Sequence, residues 1–484
     1  MRQKIRFITM KFKYFFILIS VFQAKSHINA DTIHLKLSDA EKMFWRTSAY
    51  KTLTNDSCIR LLNHSLFKTV TKPRIQLSSA LPNYNRNISS VIQPTGDELF
   101  ISRDYISAFL KLSASQFIPF SGGTIELNSQ VSMQTNLAKG TKHIQYYLNL
   151  FNISYKQNLL GFNEYPWNKK IENLSIKNFH QNHRQEIIKI QSNINYLYFK
   201  LIYNKLHKEL QSKYIELKTI TLNNSKWKSI HSASTQLDVI DADIQLLKAM
   251  SPIYENNNER ITEEFNTYLN MKNVVIITEK IENIPIEFDI NYELIYNETI
   301  NNTLRLYEEE DIKKKRELAR IKALKLPSIN LSLGGGINNN FLSWNKSFRN
   351  LSPQLNATIT IGFPVFDGNE NKLRTEILIN ELSKIETNKR QQEIQVYQEI
   401  SNCYKELSEK KYEYNISSKT IALLNDKLKI LTQKYEQKKI DFMQIILCDI
   451  ELLKEKLNLI TITQKIHQIR YKIKLRSLVD LETV

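Results

Sequence analysis

The chain has 484 residues but only 10 glycines and 10 prolines, which predicts long uninterrupted helices and argues against many short elements. Its formal charge of +18 does not mark a nucleic-acid binder. Arg2, Lys4, Arg6, Lys11 and Lys13 belong to an N-terminal segment with another explanation, and the other cations are interspersed with Glu and Asp, with no basic stripe carrying stacking aromatics.

Residues 1–30 read as an export signal. A basic region to Tyr14 precedes the apolar run Phe15 to Phe22, which is too short to span a bilayer as a helix. Cleavage is expected near Ala30, weakly marked because Ile28 is bulky, and no cysteine lies there to carry a lipid. Past the cut, Leu37-Ser38-Asp39-Ala40-Glu41 has capping-box spacing from Ser38 to Glu41. Strands are then predicted over Arg74 to Leu81, Ile106 to Phe117, Thr124 to Val131 and Tyr147 to Tyr155. Leu110, Leu112 and Ala114 alternate with Lys111, Ser113 and Ser115, and Ser121-Gly122-Gly123 reads as a hairpin turn. Leu160-Gly161-Phe162 is a strand-to-helix corner, with a helix from near Trp167 and a seam through Ile187, Ile190, Ile194, Leu197 and Leu201. A turn near His231 to Gln236 precedes Leu237-Asp238-Val239-Ile240-Asp241.

About 205 residues later the same block recurs. Strands over Ile329 to Gly335 and Leu355 to Gly362 break at Gly362-Phe363-Pro364-Val365-Phe366-Asp367-Gly368, and a helix begins near Asn371. Its seam passes through Ile421, Leu424, Leu428, Leu431 and Tyr435, breaks at Lys438 and Lys439, and resumes as Ile446, Ile450, Leu453, Leu457 and Ile460. Helices of about forty residues would be ~60 Å long, a rod or tube and not a globular core. The chain divides into repeats over 31–255 and 256–484.

Outside the signal, the sequence has no apolar run long enough for a spanning helix, so any membrane crossing must use strands. Four to six strands cannot close a barrel, which needs at least about eight. Either they form an open soluble sheet or several copies each contribute a sector of one barrel, and the helical hairpins favour the second. No P-loop, nucleophile elbow, His-Glu-x-x-His or paired-cysteine site occurs. His180 and His183 read as surface residues, and Cys58, Cys403 and Cys448 as buried small side chains. No enzymatic activity, cofactor or metal is expected.

With these residues in view, the chain resembles the TolC-like outer-membrane efflux proteins. Leu37 to Glu41 is similar to their opening helix, and GFPVFDGNENK to their corner. LPNYNR (Leu81 to Arg86), SQFIPFSGGTIELNS (Ser115 to Ser129) and LLGFNEYPWNKKIE (Leu159 to Glu172) resemble Bacteroidetes-type members. The resemblance implies an α+β membrane protein with an internal two-fold repeat. Long antiparallel coiled-coil helices would form a periplasmic α-barrel, and the strands would contribute to a shared trimeric transmembrane β-barrel. It implies an outer-membrane channel of a tripartite efflux or type I secretion system. The expected partners are two further copies in a homotrimer, a periplasmic membrane-fusion adaptor, an inner-membrane RND or ABC transporter and outer-membrane lipid. Four barrel strands per chain are expected, with the extra pair as an extension. The gate is expected at the periplasmic tip, where Gln444 and Leu447 replace the family's acidic residues and the Lys438 region replaces its turn glycine. Asp238, Asp241, Tyr435, Asp441 and Gln444 are the candidates, with Asp449 beside them and an Asp238 to Tyr435 tether between neighbouring hairpins. The alternative reading is a periplasmic coiled-coil adaptor or scaffold without its own pore; a family member that no longer transports is also open.

Overall fold

A computed structural model describes residues 32–481 apart from 138–142, 232–235, 251–254, 273 and 287–290. The expected signal, 1–30, and the centre of the first tip turn, 232–235, lie outside the described residues.

Strand β1 (Thr32–Leu35) leads into helices α1 (Leu37–Lys42) and α2 (Ser48–Lys68). Strands β2 (Arg74–Ile92), β3 (Glu98–Phe117), β4 (Thr124–Asn136) and β5 (His143–Asn158) follow as an up-and-down meander. The long helix α3 (Tyr165–His231) and α4 (Gln236–Ala249) come next, and α5 (Glu255–Tyr268) begins at the expected boundary between the repeats. The chain continues with β6 (Val275–Thr278), α6 (Tyr292–Leu324), β7 (Ser328–Phe341), β8 (Ser352–Gly362), α7 (Glu370–Glu436) and α8 (Phe442–Ser477).

The helices were expected to be about forty residues long, but α3 and α7 each run for 67, ~100 Å at 1.5 Å per residue. The apolar seam under-reports their length because their packing partner changes partway. Near the sheet, α3 and α7 pack with α2 and α6; nearer the tip they pack with α4 and α8. Helix α8 is buried on two sides. Its Ile446, Ile450, Leu453 and Leu457 meet Leu210 and Leu217 of α3, while Ile462, Ile466, Ile469 and Ile473 meet Val396, Ile400, Cys403 and Leu407 of α7. Each such side chain contributes roughly 1.5–3 kcal/mol when fully buried.

The two halves lock together midway along α3. Strand β1 pairs in parallel with β6, and Ile194, Tyr198, Phe199, Phe265, Leu269 and Ile460 form a fully buried core beside them. Here the expected capping box is absent. Lys36 is the N-cap of α1 and makes no side-chain cap; Leu37 N donates instead to Glu279 Oε1 of the other half at 2.8 Å. Glu41 accepts from Asn195 Nδ2 at 2.9 Å, so a tertiary partner has taken the carboxylate that a local cap would use. One cysteine also departs from expectation: Cys403 and Cys448 are buried, but Cys58 is exposed on α2.

The largest correction concerns the strands. All six long strands form one antiparallel sheet in the order β2-β3-β4-β5-β7-β8, and β2 and β3, at 19 and 20 residues, are full members of it. No break in strand pairing separates the four expected barrel strands from the pair expected as an extension. Only the far end of the β2–β3 hairpin outlasts the sheet, since β4 ends opposite Tyr105.

Candidate transmembrane sheet and helical duct

Strand periodicity sends successive side chains to opposite faces, and the register carries each face across the whole sheet. One row joins Ile75, Ala114, Leu127, Ile153, Gly335 and Leu355, with no polar side chain in it. The next row, on the other face, joins Gln76, Ser113, Asn128, Asn152, Gly336 and Gln354. A further polar row, Arg74, Ser115, Glu126, Ser154, Gly334 and Asn356, lies on that second face. Bulges near Leu81-Pro82 in β2 and between Asn149 and Phe151 in β5 add a residue where the alternation would otherwise slip. Gly336 is required at the second of these, because a Cβ there would lie 2.5 Å from the Phe151 carbonyl oxygen.

Among the described side chains, the charged residues of the apolar face, Arg86, Asp104 and Glu98, all lie on the projecting end of the β2–β3 hairpin. Arg74, Lys111, Glu126 and Lys156 lie on the polar face, where Lys111 Nζ is 3.0 Å from Glu126 Oε1. Aromatic residues mark both ends of the apolar band. At the far end Tyr146, Phe341 and Trp344 have ring centroids 5.3 to 5.5 Å apart. At the helix end Phe120, Phe363 and Phe366 are largely exposed. The strands between them, 16 residues in β5 and 14 in β7, are long enough at a tilt near 40° to cross the roughly 25 Å apolar band of outer-membrane barrels. The 342–351 loop folds over the apolar face. Buried Asn339 holds it by donating from Nδ2 to the carbonyls of Lys346, Ser347 and Arg349 at 3.1, 2.7 and 2.8 Å.

The two predicted strand-to-helix corners converge beneath this sheet. Gly161 and Phe162 of one and Gly362, Phe363 and Pro364 of the other line a common cavity of about 340 Å³. Each corner supplies a side chain that starts its helix. Asn163 Oδ1 accepts from Tyr165 N at 3.1 Å, and the Asp367 carboxylate accepts from Asn369 N at 3.1 Å and Asn371 N at 3.2 Å, satisfying helix N–H groups that have no intrahelical partner. Helix α2 is fastened to α3 where Arg60 Nη1 and His64 Nδ1 each lie 2.8 Å from Glu172 Oε1. Burial raises the Glu172 carboxyl, but those two partners hold it below its ordinary pKa.

The candidate tip residues occupy the ends of the helices. Asp238 and Asp241 are exposed in the first turns of α4, and Asp441 and Gln444 are exposed at the start of α8. Tyr435, in the last turn of α7, is 43% exposed and packs against Phe442 at 5.4 Å. Asp449 is tied inside the chain to Lys213 at 3.2 Å. Burial lowers Lys213, but Asp449 and Glu216 carry it above its ordinary value. The second turn is closed by Lys438 at φ 57°, with Lys438 N donating to Tyr435 O and Lys439 N to Lys434 O. That is a Schellman cap built without glycine, a feature that only the break in the apolar seam signalled. Sequence reasoning missed the polar knot midway along the helices. There buried His467 accepts at Nδ1 from Asn195 Nδ2 at 3.3 Å and donates from Nε2 to Pro285 O at 3.1 Å. Burial, with Arg470 nearby, depresses its pKa to about 3. A lone His on an otherwise apolar helix face was its one signal. His180 is exposed and His183 half-buried, their rings set about Phe179, and no metal-binding cluster occurs among the described residues.

No protein-family model matches the sequence, and neither does any curated protein. Solved structures do match over nearly the whole chain. The outer membrane protein VceC of Vibrio cholerae gives a TM-score of 0.59 at 9% identity, over 91% of this chain and 96% of that one. The CmeC outer membrane channel of Campylobacter jejuni gives 0.58 at 11%, over 94% and 90%. CusC, whose structures concern folding and transmembrane channel formation, gives 0.57 at 10%, over 94% and 95%. The chain therefore has the α+β fold of the TolC-like outer-membrane channel proteins.

Proposed function

We propose that the chain is the outer-membrane channel of a tripartite efflux or type I secretion system, with its sheet in the outer membrane and its helices in the periplasm. The observation that carries this reading is the sheet, apolar on one face and polar on the other across all six strands, mounted on helices of ~100 Å. An isolated sheet of this kind leaves two unpaired edges, which lipid does not tolerate. Copies must join edge to edge, and the fold supports a homotrimer.

The helices support the same assembly. Near the tip they follow the order α4, α3, α8, α7, so α4 and α7 are the flanks. Leu237, Ile240, Ile244 and Leu247 on α4 are exposed at three- and four-residue steps. On α7 Ile416, Leu423 and Ile430 are exposed at heptad spacing, a pattern suited to pairing with the neighbouring copy's α4. Asp238 and Tyr435 lie on these two flanks, so an Asp238 to Tyr435 tether would join copies. Asp241, Asp441 and Gln444 complete the proposed gate. The repeats over 31–255 and 256–484 each supply one hairpin. The open tips are the docking end for a periplasmic adaptor and, through it, an inner-membrane RND or ABC transporter, while outer-membrane lipid meets the apolar face of the sheet. The chain's own chemistry is that of a passive conduit, with energy supplied by the transporter.

The test is extraction of the mature chain from outer membranes in mild detergent, a mass measurement, and single-channel recording in planar bilayers. A three-chain particle with discrete conductance is expected. A soluble monomer would overturn the proposal in favour of a pore-less scaffold.

A further inference from the structure

We infer that three copies close an 18-stranded barrel, with β2 of one copy joined to β8 of the next. The inference rests on the channel reading and adds the construction of its mouth. Three observations lead to it.

The apolar row runs without interruption through β2 and β3, from Ile75 and Ala114 to Leu355. A barrel built from β4, β5, β7 and β8 alone would expose Ile75, Leu77, Leu110 and Leu112 to water, and these are already 52 to 75% or, for Leu112, 51% exposed in the single chain. Second, the edges match. Strand β2 runs away from the helices and β8 runs back toward them, so β8 of a neighbour meets β2 antiparallel. The 11 residues of β8 correspond to the membrane-depth part of β2, from Arg74 to Tyr84, and leave the rest of the hairpin, with Arg86 and Asp104, above the lipid. Third, the described residues of the 342–351 loop fold onto the apolar side through Asn339, not into the lumen. The lumen face of β7 carries Gly334 and Gly336, which leave the wall flat.

At ~4.8 Å between strands and a tilt of ~40°, 18 strands enclose about 36 Å from backbone to backbone, against about 24 Å for 12.

The test is a disulfide ladder in the full-length, membrane-inserted chain, with exposed Cys58 removed (Cys58→Ser). Gln76→Cys or Ser78→Cys on β2 is paired in turn with Asn356→Cys, Thr358→Cys or Thr360→Cys on β8. The same β8 series is then paired with Asn128→Cys or Gln130→Cys on β4. After mild oxidation, at least one β2–β8 pair should shift the non-reduced band from one chain to three, and β4–β8 pairs should leave it at one. A ladder through β4, or a detergent-stable trimer with no β2–β8 link, would overturn the 18-stranded barrel and leave the channel standing. A soluble monomer would overturn both.

Discussion

Replacing Leu112 by arginine tests which face of the sheet meets lipid. Leu112 lies five residues inside the helix-proximal end of β3, which at a tilt near 40° is about 13 Å deep, the midplane of a 25 Å band. It opposes Leu77 across the strand pair and is 51% exposed in the single chain. Arginine on the lipid face at that depth costs about 2–4 kcal/mol per chain, roughly a 30- to 800-fold shift in the folding equilibrium. The control is its neighbour, Ser113→Arg, on the polar face opposite Gln76 and Asn128, where a long cation can reach water and the cost should stay under about 1 kcal/mol. Urea unfolding of both variants in lipid vesicles, followed by the heat-sensitive mobility of the assembled barrel, gives the comparison. Equal losses, or a greater loss for Ser113→Arg, would refute the assignment of the faces.

Three other outcomes are expected. Lys438→Gly removes a left-handed non-glycine residue from the tip turn, which costs about 1–2 kcal/mol, so amide exchange at the tip should slow about 5- to 30-fold; faster exchange would show that the lysine side chain matters more than its backbone. The neutral, buried His467 has a pKa near 3 in the fold against 6.5 when unfolded, so below pH 6.5 the unfolded chain binds the extra proton. Its contribution is complete above that pH and is lost as pH falls from 6.5 toward 3, at up to about 1.4 kcal/mol per unit. The groups facing His467 include Asn195 and Arg470, and His467→Asn should flatten the acid limb of a stability curve measured by helical circular dichroism; an unchanged limb would place the acid sensitivity elsewhere. Tyr435→Phe should raise basal single-channel conductance and lessen the dependence of opening on an adaptor, and if both stay at wild-type values the tether with Asp238 is refuted.

Much of this architecture was legible in the residues because strand and helix periods are local. Leu355 to Gly362 and Ile106 to Phe117 declare their faces by alternation alone, and Gly122, at φ 71°, marks its turn. Length was less legible. Beyond Leu201 the buried positions of α3 follow whichever helix lies beside it, α8 at Leu210 and Leu217 or α4 at Leu222, so no single seam persists. The capping box failed because α1 starts earlier, with Lys36 and not Ser38 at its N-cap, and partners distant in sequence take its groups: Glu279, 242 positions away, accepts from Leu37 N and Asn195 occupies the Glu41 carboxylate. The tip candidates were placed by resemblance, and of these only Tyr435 has a described ring partner within the chain.

Sequence by itself determined the faces of the strands and the two strand-to-helix corners, since each follows from neighbours within a few residues. Tertiary structure alone decided that β2 and β3 belong to the same sheet as β7 and β8. That depends on β5 pairing with β7 across some 180 intervening positions, a register set by the summed match of apolar and polar rows and not by any local signal.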